Sequence, residues 1–232
     1  MRIFQKGFNY SQDGPGNRLV YHLQGCNLRC RWCSNPEGMT PVGGWEVSVD
    51  QIVGECLHSK KMFFDGGGVT FTGGEPTVQF QQLREALIEC KAMGIHTALE
   101  TNGTHPKLPE LWEFVDYLIM DFKHYDSERL KEYTGMGNET VKRNFEIACQ
   151  TGKPIHIRIP LINQFNTSPE EFAAYFGQWD RRNVTFEILP YHEYGREKWT
   201  EPYTIKDGFV KGETMRAFIN CMQNEGIHIV KT

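Results

Sequence analysis

The sequence lacks several features that would place it in a specialised class of protein. It has no apolar run long enough to span a bilayer, and its first residues, MRIFQKGFNYSQDG, include no apolar segment of the secretory kind. It also has no internal repeat and no low-complexity stretch. Basic residues show no surplus, because 25 Lys and Arg face 29 Asp and Glu, for a formal net charge of -4. These absences exclude an integral membrane protein and argue against a nucleic-acid binder that ignores sequence.

The composition is that of a globular protein. Of 232 residues, 39% are hydrophobic and 23% are charged, which is enough to build a sizeable core. No Pro- or Ser-rich linker interrupts the chain, so we predict a single domain over residues 1–232. The cysteines number seven, and an odd count argues against a disulfide framework and for a reducing compartment. We therefore expect a cytoplasmic protein without a membrane or nucleic-acid partner.

Short β-branched or aromatic runs alternate with helical patterns along most of the chain. One helical stripe follows a capping box formed by Ser48 and Gln51, and glycines end several others. Strands that alternate with helices predict βαβ units and a parallel sheet, either open and doubly wound or a partial barrel. The predicted strands lie at residues 19–23, 68–72, 95–99, 117–121, 154–159, 184–189 and 227–230.

Polar and ligand-type residues follow nearly every predicted strand. Because chemistry in parallel α/β folds gathers at the carboxyl ends of the strands, this pattern predicts the rim of an active site. The residues are Cys26, Cys30 and Cys33 after the first strand, Gly73, Gly74 and Glu75 after the second, Glu100 and Thr101 after the third, Asp121 and Lys123 after the fourth, Arg158 in the fifth, and His192 after the sixth.

Three of the cysteines share one short loop, in the pattern Cys26-x3-Cys30-x2-Cys33. Three thiolates suit an iron–sulfur cluster, because its irons favour soft sulfur ligands. A cluster of four irons has one ligand position for each, so three cysteines leave one iron open. A zinc site would need a fourth Cys or His, and the nearest candidate, His22, lies inside a predicted strand. The pattern therefore favours a cluster over zinc.

The pattern Cys-x3-Cys-x-aromatic-Cys, with Trp32 as the aromatic residue, resembles the radical S-adenosylmethionine (radical SAM) superfamily. Further segments narrow the resemblance to the glycyl-radical-enzyme activating enzymes, typified by the activase of pyruvate formate-lyase. It runs from about Phe8 to the end of the chain. The segments are Asp13-Gly14-Pro15-Gly16, Gly73-Gly74-Glu75, Asp121-Phe122-Lys123 and Leu189-Pro190-Tyr191-His192-Glu193-Tyr194-Gly195.

The resemblance implies a partial (β/α)6 TIM-like barrel of parallel strands. Cys26, Cys30 and Cys33 would bind a [4Fe-4S] cluster whose open iron chelates S-adenosylmethionine. Reductive cleavage would give a 5′-deoxyadenosyl radical, which takes a hydrogen atom from a glycine Cα of a partner glycyl-radical enzyme. A flavodoxin- or ferredoxin-type donor would supply the electron, and the activase would work as a monomer.

The resemblance also assigns roles outside the cysteine motif. Gly73, Gly74 and Glu75 match the motif that holds the amino group of S-adenosylmethionine, and Arg158 matches an arginine that meets its carboxylate. Asp13 matches an acidic residue that faces the partner's glycine loop. The remaining cofactor-binding residues are Trp32, Asn35, Glu100, Thr101, Asp121, Lys123 and His192. Glu100, Thr101 and Asp121 would also line a monovalent-cation site, where some members carry aspartate in place of Glu100.

Two other interpretations remain open. A radical SAM enzyme similar to 7-carboxy-7-deazaguanine synthase shares the Gly-Gly-Glu-Pro and Glu-Thr-Asn-Gly segments but not DGPG or PYHEYGREKW. A non-catalytic zinc or redox-sensing module would need no polar rim. Many activases with Ser-Asn-Pro-Glu after the third cysteine carry a ferredoxin-like insert with more cysteines. Only Cys56 lies between Cys33 and Gly73, so we predict no insert. We expect the aromatic segment 194–209 to help dock the partner.

Overall fold

The computed structural model describes residues 1–230 and divides into two compact units. Unit 1 comprises Met1–Asn27, Asn35–Thr101 and Lys107–Ile119, and unit 2 comprises Leu28–Ser34, Asn102–Pro106 and the described residues from Met120 onward. The loop with the three cysteines therefore contributes Cys26 to unit 1, and Cys30 and Cys33 to unit 2. The single-domain organisation and the absence of an insert stay predictions.

The strands form a mostly parallel sheet in the order β3-β1-β2-β4-β5-β6-β7-β8. β4 pairs in parallel with β2 and β5, and β7 pairs in parallel with β8. The predicted α/β class is thus confirmed, and the antiparallel pairs β1–β2 and β1–β3 are additions to it. The strands are β1 Arg2–Tyr10, β2 Asn17–Leu23, β3 Trp45–Glu46, β4 Gly68–Gly73, β5 Thr97–Thr101, β6 Tyr117–Asp121, β7 Ile155–Leu161 and β8 Val184–Pro190.

Local sequence signals mark the ends of some of the helices. The predicted capping box is present at α1, where the Ser48 side chain accepts from Gln51 N and the Gln51 side chain accepts from Ser48 N. Gly152, in the left-handed conformation, ends α4. No helix among the described residues is long and apolar enough to cross a membrane. The helices are α1 Val49–His58, α2 Phe80–Ala92, α3 Ser127–Thr134, α4 Glu139–Thr151, α5 Pro169–Gly177 and α6 Gly212–Asn224.

In unit 1, the two faces of the sheet carry different chemistry because side chains alternate along each strand. One face is apolar and buried, and there Tyr21 of β2 stacks on Phe71 of β4 at 6.0 Å between ring centroids. The opposite face carries polar side chains of neighbouring strands, among them Thr70 and Thr72 of β4 and Glu100 of β5. The polar face is therefore the surface of unit 1 that can hold a site.

The core of unit 2 is aromatic. Phe176 of α5 lies 4.7 Å from Phe122 and 4.7 Å from Phe186 of β8, both in edge-on geometry. All three rings are fully buried. The strand predicted at residues 227–230 is instead a single bridge between Ile229 and Phe186, with Phe186 bonded to the backbone of His228 and Val230.

Candidate active site

The first part of the cysteine loop is tied to the Gly-Gly-Glu segment within unit 1. Gly25 N donates to Gly38 O at 2.8 Å, and Glu75 N donates to Gly25 O at 2.8 Å. A Cβ on Gly74 would lie 2.3 Å from Gly25 O, so only glycine fits there. The chain leading to Cys26 and the turn after β4 are therefore closely packed against each other. Packing within unit 1 already accounts for this glycine.

Glu75 is a buried carboxylate with partners in its own unit. Its Oε1 accepts from Thr77 N at 3.0 Å and from Thr101 Oγ1 at 2.7 Å. Glu75 thereby caps the short 3-10 helix Pro76–Gln79, and its side chain joins the turn after β4 to the end of β5. The structure thus brings together Gly73, Gly74, Glu75 and Thr101, as predicted for residues at neighbouring strand ends.

Asp13 and Glu100 share the polar face of unit 1. Thr72 Oγ1 donates to Glu100 Oε2 at 3.2 Å, and Thr70 Oγ1 donates to the backbone oxygen of Asp13 at 2.8 Å. Thr70 and Thr72 are successive same-face residues of β4, so both acidic residues are held to the same face of that strand. Asn9 Nδ2 donates to the carboxylate of Asp13. The turn after β1 is thus folded over this face.

The remainder of the cysteine loop is anchored within unit 2. Backbone N–H groups of Arg29 and Arg31 donate to the carbonyls of Thr134 and Tyr133, at 2.7 and 3.2 Å, beside the end of α3. Cys33 N donates to Cys30 O at 3.1 Å, which closes a turn between the two cysteines. These bonds anchor the backbone around Cys30 and Cys33 within unit 2.

Trp199 makes a contact that the sequence did not reveal. Its Nε1 donates to the backbone oxygen of Cys33 at 3.0 Å, and its ring meets Tyr203 at 5.5 Å between centroids. The segment 194–209 is therefore attached to the cysteine loop. Substitution of Trp199 should disturb that loop as well as any docking surface.

Trp32 packs against aromatic side chains of unit 2. Its ring lies 4.8 Å from Phe165 and 6.4 Å from Tyr133, and it packs against a buried cluster that includes Leu130 and Tyr191. Arg31 lies over the Tyr133 ring at 4.6 Å, a cation–π contact. These contacts give Trp32 a packing role beside the cysteines.

Arg158 is held by a buried network on β7 and β8. Its Nε donates to Glu187 Oε2 at 2.8 Å, and His156 Nε2 lies 3.1 Å from the same oxygen. A carboxylate only accepts, so His156 Nε2 carries a proton, and Nδ1 lies 2.9 Å from Thr185 Oγ1. The charge that the sequence leaves unexplained in an apolar strand therefore has a partner within the chain.

Glu187 is the counter-charge that sequence reasoning missed. Burial alone would raise the pKa of its carboxyl, but the hydrogen bond from His156 and the charge of Arg158 outweigh burial and lower the pKa. The sequence does show a charged residue, Glu187, inside an apolar strand. In the β7–β8 register it lies directly opposite Arg158. Only the pairing of the strands shows that the two belong together.

Asp121 and Lys123 form an ion pair with each other at the end of β6. Their side chains are 23% and 11% exposed, so this pair is more sheltered than an ordinary surface salt bridge. Asp121 follows the last apolar residue of β6, and Lys123 lies after the buried Phe122. The predicted Asp-x-Lys motif thus has both charges on the same side of the chain.

His192 lines a cavity of about 520 Å³ beyond the end of β8. Its ring stacks on Tyr194 at 4.3 Å, and burial lowers its pKa, which favours the neutral imidazole. The other lining residues are Leu189, Pro190, Tyr191, Glu193, Tyr194 and Phe209. Asn35 lies in unit 1, where its backbone oxygen accepts from Gly38 N at 3.0 Å.

None of the three cysteines of the loop forms a disulfide; Cys30 is buried, and Cys26 and Cys33 are partly exposed. Soft thiolates on a short, anchored loop are the donor set that an iron–sulfur cluster requires. Within the described residues, no group of three or more His, Cys, Asp or Glu side chains is gathered at metal-binding distance. The fit to a cluster therefore rests on the chemistry and spacing of the donors.

Comparison with known proteins identifies the family. Residues 20–176 match the model of the radical SAM superfamily. The chain is 33% identical over 227 residues to pyruvate formate-lyase 1-activating enzyme of Escherichia coli (strain K12), covering 92% of both chains. It is 28% identical to the 4-hydroxyphenylacetate decarboxylase activating enzyme of Clostridioides difficile (strain 630), covering 82% of this chain and 81% of that one.

A solved structure gives the same result. The crystal structure of a domain of pyruvate-formate lyase-activating enzyme from Bacteroides vulgatus matches with a TM-score of 0.61 and 26% identity, over 71% of this chain and 98% of that chain. The predicted TIM-like α/β fold is consistent with this match. The chain belongs to the radical SAM superfamily, within its branch of glycyl-radical-enzyme activating enzymes.

Proposed function

We propose that Cys26, Cys30 and Cys33 bind a [4Fe-4S] cluster with which this activating enzyme cleaves S-adenosylmethionine. The observation that carries the proposal is the pattern Cys-x3-Cys-x2-Cys on the loop after β2, in which no cysteine is taken up by a disulfide. When bound, the reduced cluster and S-adenosylmethionine supply a 5′-deoxyadenosyl radical that takes a hydrogen atom from a glycine Cα of the partner. The chain itself binds, orients and protects these groups.

Two groups suit the ends of an amino acid. The Gly73–Glu75 turn offers a carboxylate for an ammonium group, and Arg158 offers a planar guanidinium for a carboxylate. Glu187 accepts from Arg158 Nε at 2.8 Å and so limits the directions in which the rest of the guanidinium can point. This supports Glu75 and Arg158 as the residues that orient the amino-acid end of S-adenosylmethionine.

The remaining roles follow the same chemistry. Glu100, Thr101 and Asp121 are oxygen donors of the kind that a monovalent cation prefers. Lys123 adds a positive charge beside Asp121. Trp32 and Asn35 are assigned to the cluster and to the adenosine, and His192, whose pKa burial lowers, is assigned to S-adenosylmethionine as a neutral ring. Asp13 is assigned to the glycine loop of the partner.

The partner is a glycyl-radical enzyme, and the names of the relatives give two candidates, pyruvate formate-lyase and 4-hydroxyphenylacetate decarboxylase. We assign the electron to a flavodoxin- or ferredoxin-type donor. A monomeric activase in the cytoplasm would meet both proteins there. Incubation with each candidate enzyme separately, followed by electron paramagnetic resonance for the glycyl radical, would identify the partner.

The cluster is tested on anaerobically purified and reconstituted protein. The wild type should hold iron and sulfide and should release methionine from S-adenosylmethionine when reduced with dithionite. Cys30→Ala should lose both the iron and the cleavage. Cys221→Ala is the matched control, because Cys221 is a free, partly exposed thiol outside the loop, and it should behave as the wild type.

Retention of the full cluster by Cys30→Ala would refute the assignment of the ligands. A wild type that binds zinc tightly, holds no sulfide and cleaves no S-adenosylmethionine would refute the function. A wild type that cleaves S-adenosylmethionine yet radicalises neither candidate enzyme would leave the cluster assignment intact and point to a different glycyl-radical partner.

A further inference from the structure

Arg18 is a charged side chain buried completely beneath the Asp13-Gly14-Pro15-Gly16 turn, where its exposure is 0%. A buried guanidinium is costly unless its donors are satisfied. Nε donates to Thr70 Oγ1 at 2.6 Å, and one terminal nitrogen donates to Val69 O at 2.7 Å. The other donates to Pro15 O at 3.0 Å and lies 3.3 Å from His96 Nδ1.

These bonds join the turn to the sheet at two points. Arg18 holds the carbonyl of Pro15, and Thr70 Oγ1, itself bonded to Arg18 Nε, donates to the carbonyl of Asp13 at 2.8 Å. The Thr70 hydroxyl has a single proton. Its bond from Arg18 uses a lone pair of the oxygen, so the proton is available for the carbonyl of Asp13. The result is a directed chain from Arg18 through Thr70 to the backbone of Asp13.

The turn is also shaped around the arginine. Gly14 has a φ of +120°, and a Cβ there would lie 3.1 Å from the Cδ of Arg18 and 3.5 Å from the Cβ of Ala98. Glycine suits this position because it has no Cβ to approach the arginine side chain and because it adopts a positive φ without strain. The glycine therefore lets the turn lie flat on Arg18 and brings Asp13 onto the polar face of unit 1.

The charge of Arg18 persists at neutral pH. Burial lowers its pKa to about 10, and Asp13, the largest opposing influence, raises it. The group is still protonated near pH 7. A protonated guanidinium donates from every nitrogen, so all the bonds to the turn remain available under working conditions.

We propose that Arg18 and Thr70 are positioning residues that hold Asp13 in place for the partner's glycine loop. The proposal rests on the function given above, in which Asp13 faces that loop. Neither residue touches the reacting atoms. Their effect is on the geometry of the turn, so they should matter for hydrogen abstraction from the partner and not for cleavage of S-adenosylmethionine on its own.

The sharpest variant is Thr70→Val, which keeps the shape of the side chain and removes the hydroxyl. Valine removes both bonds of the hydroxyl, the one to Asp13 O and the one from Arg18 Nε. Amide hydrogen exchange in residues 11–16 should therefore speed up by at least about five- to tenfold, the change that loss of one hydrogen bond already supports. The rate at which the glycyl radical forms on the partner should fall by about the same factor. Cleavage of S-adenosylmethionine by dithionite-reduced protein without partner should stay within about twofold of the wild type.

Two further variants separate positioning from general stability. Thr70→Ser restores the hydroxyl and should recover most of the exchange protection and of the partner activation. Arg18→Lys keeps the positive charge but loses the planar guanidinium whose three nitrogens bond Thr70, Val69 and Pro15. It should therefore resemble Thr70→Val and not Thr70→Ser. If Arg18→Lys does not fold, the threonine pair decides the question alone.

The proposal is overturned if Thr70→Val leaves exchange in residues 11–16 unchanged. It is also overturned if partner activation and partner-free cleavage fall together, because that marks a structural role only. The exchange arm needs neither cofactor nor partner. A wild type that forms no glycyl radical would therefore count against the proposed function, while exchange would still decide whether Thr70 and Arg18 hold the turn.

Discussion

Replacement of Glu187 by glutamine tests the buried network on β7 and β8. In the wild type, Glu187 Oε2 serves Arg158 Nε at 2.8 Å and His156 Nε2 at 3.1 Å, and none of the three side chains is more than 8% exposed. Glutamine keeps one oxygen acceptor but removes the charge. Breaking a buried pair costs about 3–5 kcal/mol, so with one acceptor retained we expect Glu187→Gln to lose about 2–4 kcal/mol of unfolding free energy.

The assay is urea unfolding at pH 7 of the anaerobic, metal-free protein, with the exposed pair Asp180–Arg182 as the control. Asp180→Asn should change stability little, because that pair is 55% and 91% exposed and screened by water. The double variant Glu187→Leu/Arg158→Met should lose much less than the sum of Glu187→Leu and Arg158→Met, since both charges leave together. Strict additivity, or a Glu187→Gln cost as small as that of the control, would refute the reasoning.

The same network predicts that the free energy of unfolding depends on pH. The pKa of Glu187 is lowered in the folded protein, so its contribution is fully present above the pKa of an unfolded glutamate, about 4.3. It is lost as the pH falls through the lower folded pKa. The stability of the wild type should therefore decline more steeply below about pH 4.3 than that of Glu187→Gln. Parallel acid profiles of the two proteins would contradict this.

Three further predictions concern the local structure. Trp199→Phe removes one hydrogen bond to the cysteine loop, worth about 1 kcal/mol, and should speed iron release to a chelator, whereas Trp45→Phe, on the exposed edge strand, should not. Gly14→Ala meets the neighbouring arginine at 3.1 Å with a φ of +120° and should lower the melting temperature, whereas Gly7→Ala, with nothing within 4 Å, should not. Ser48→Ala removes the cap of α1 and should cost about 1 kcal/mol in urea unfolding.

Local patterns were enough to locate most of the parallel sheet and its strand ends. β6 has the predicted bounds, and β2, β4 and β8 differ from prediction by one or two residues at one end, because buried strands carry continuous apolar runs. β5 and β7 differ by one or two residues at both ends. β1 escaped prediction because its central residues are exposed and carry no buried alternation. α3 escaped because, within its eight residues, only Leu130 and Thr134 are buried, too few to form an apolar stripe.

The sequence alone determined the spacing of the three thiols, the parallel α/β class and the family, since each depends on residues close together in the chain. Tertiary structure alone decided which distant groups pair. Arg18 meets Thr70 across 52 positions, Arg158 meets Glu187 across 29, and Trp199 meets the Cys33 carbonyl across 166. Such pairings follow from strand register and loop closure, which no short segment encodes, and they hold the residues around the candidate site in place.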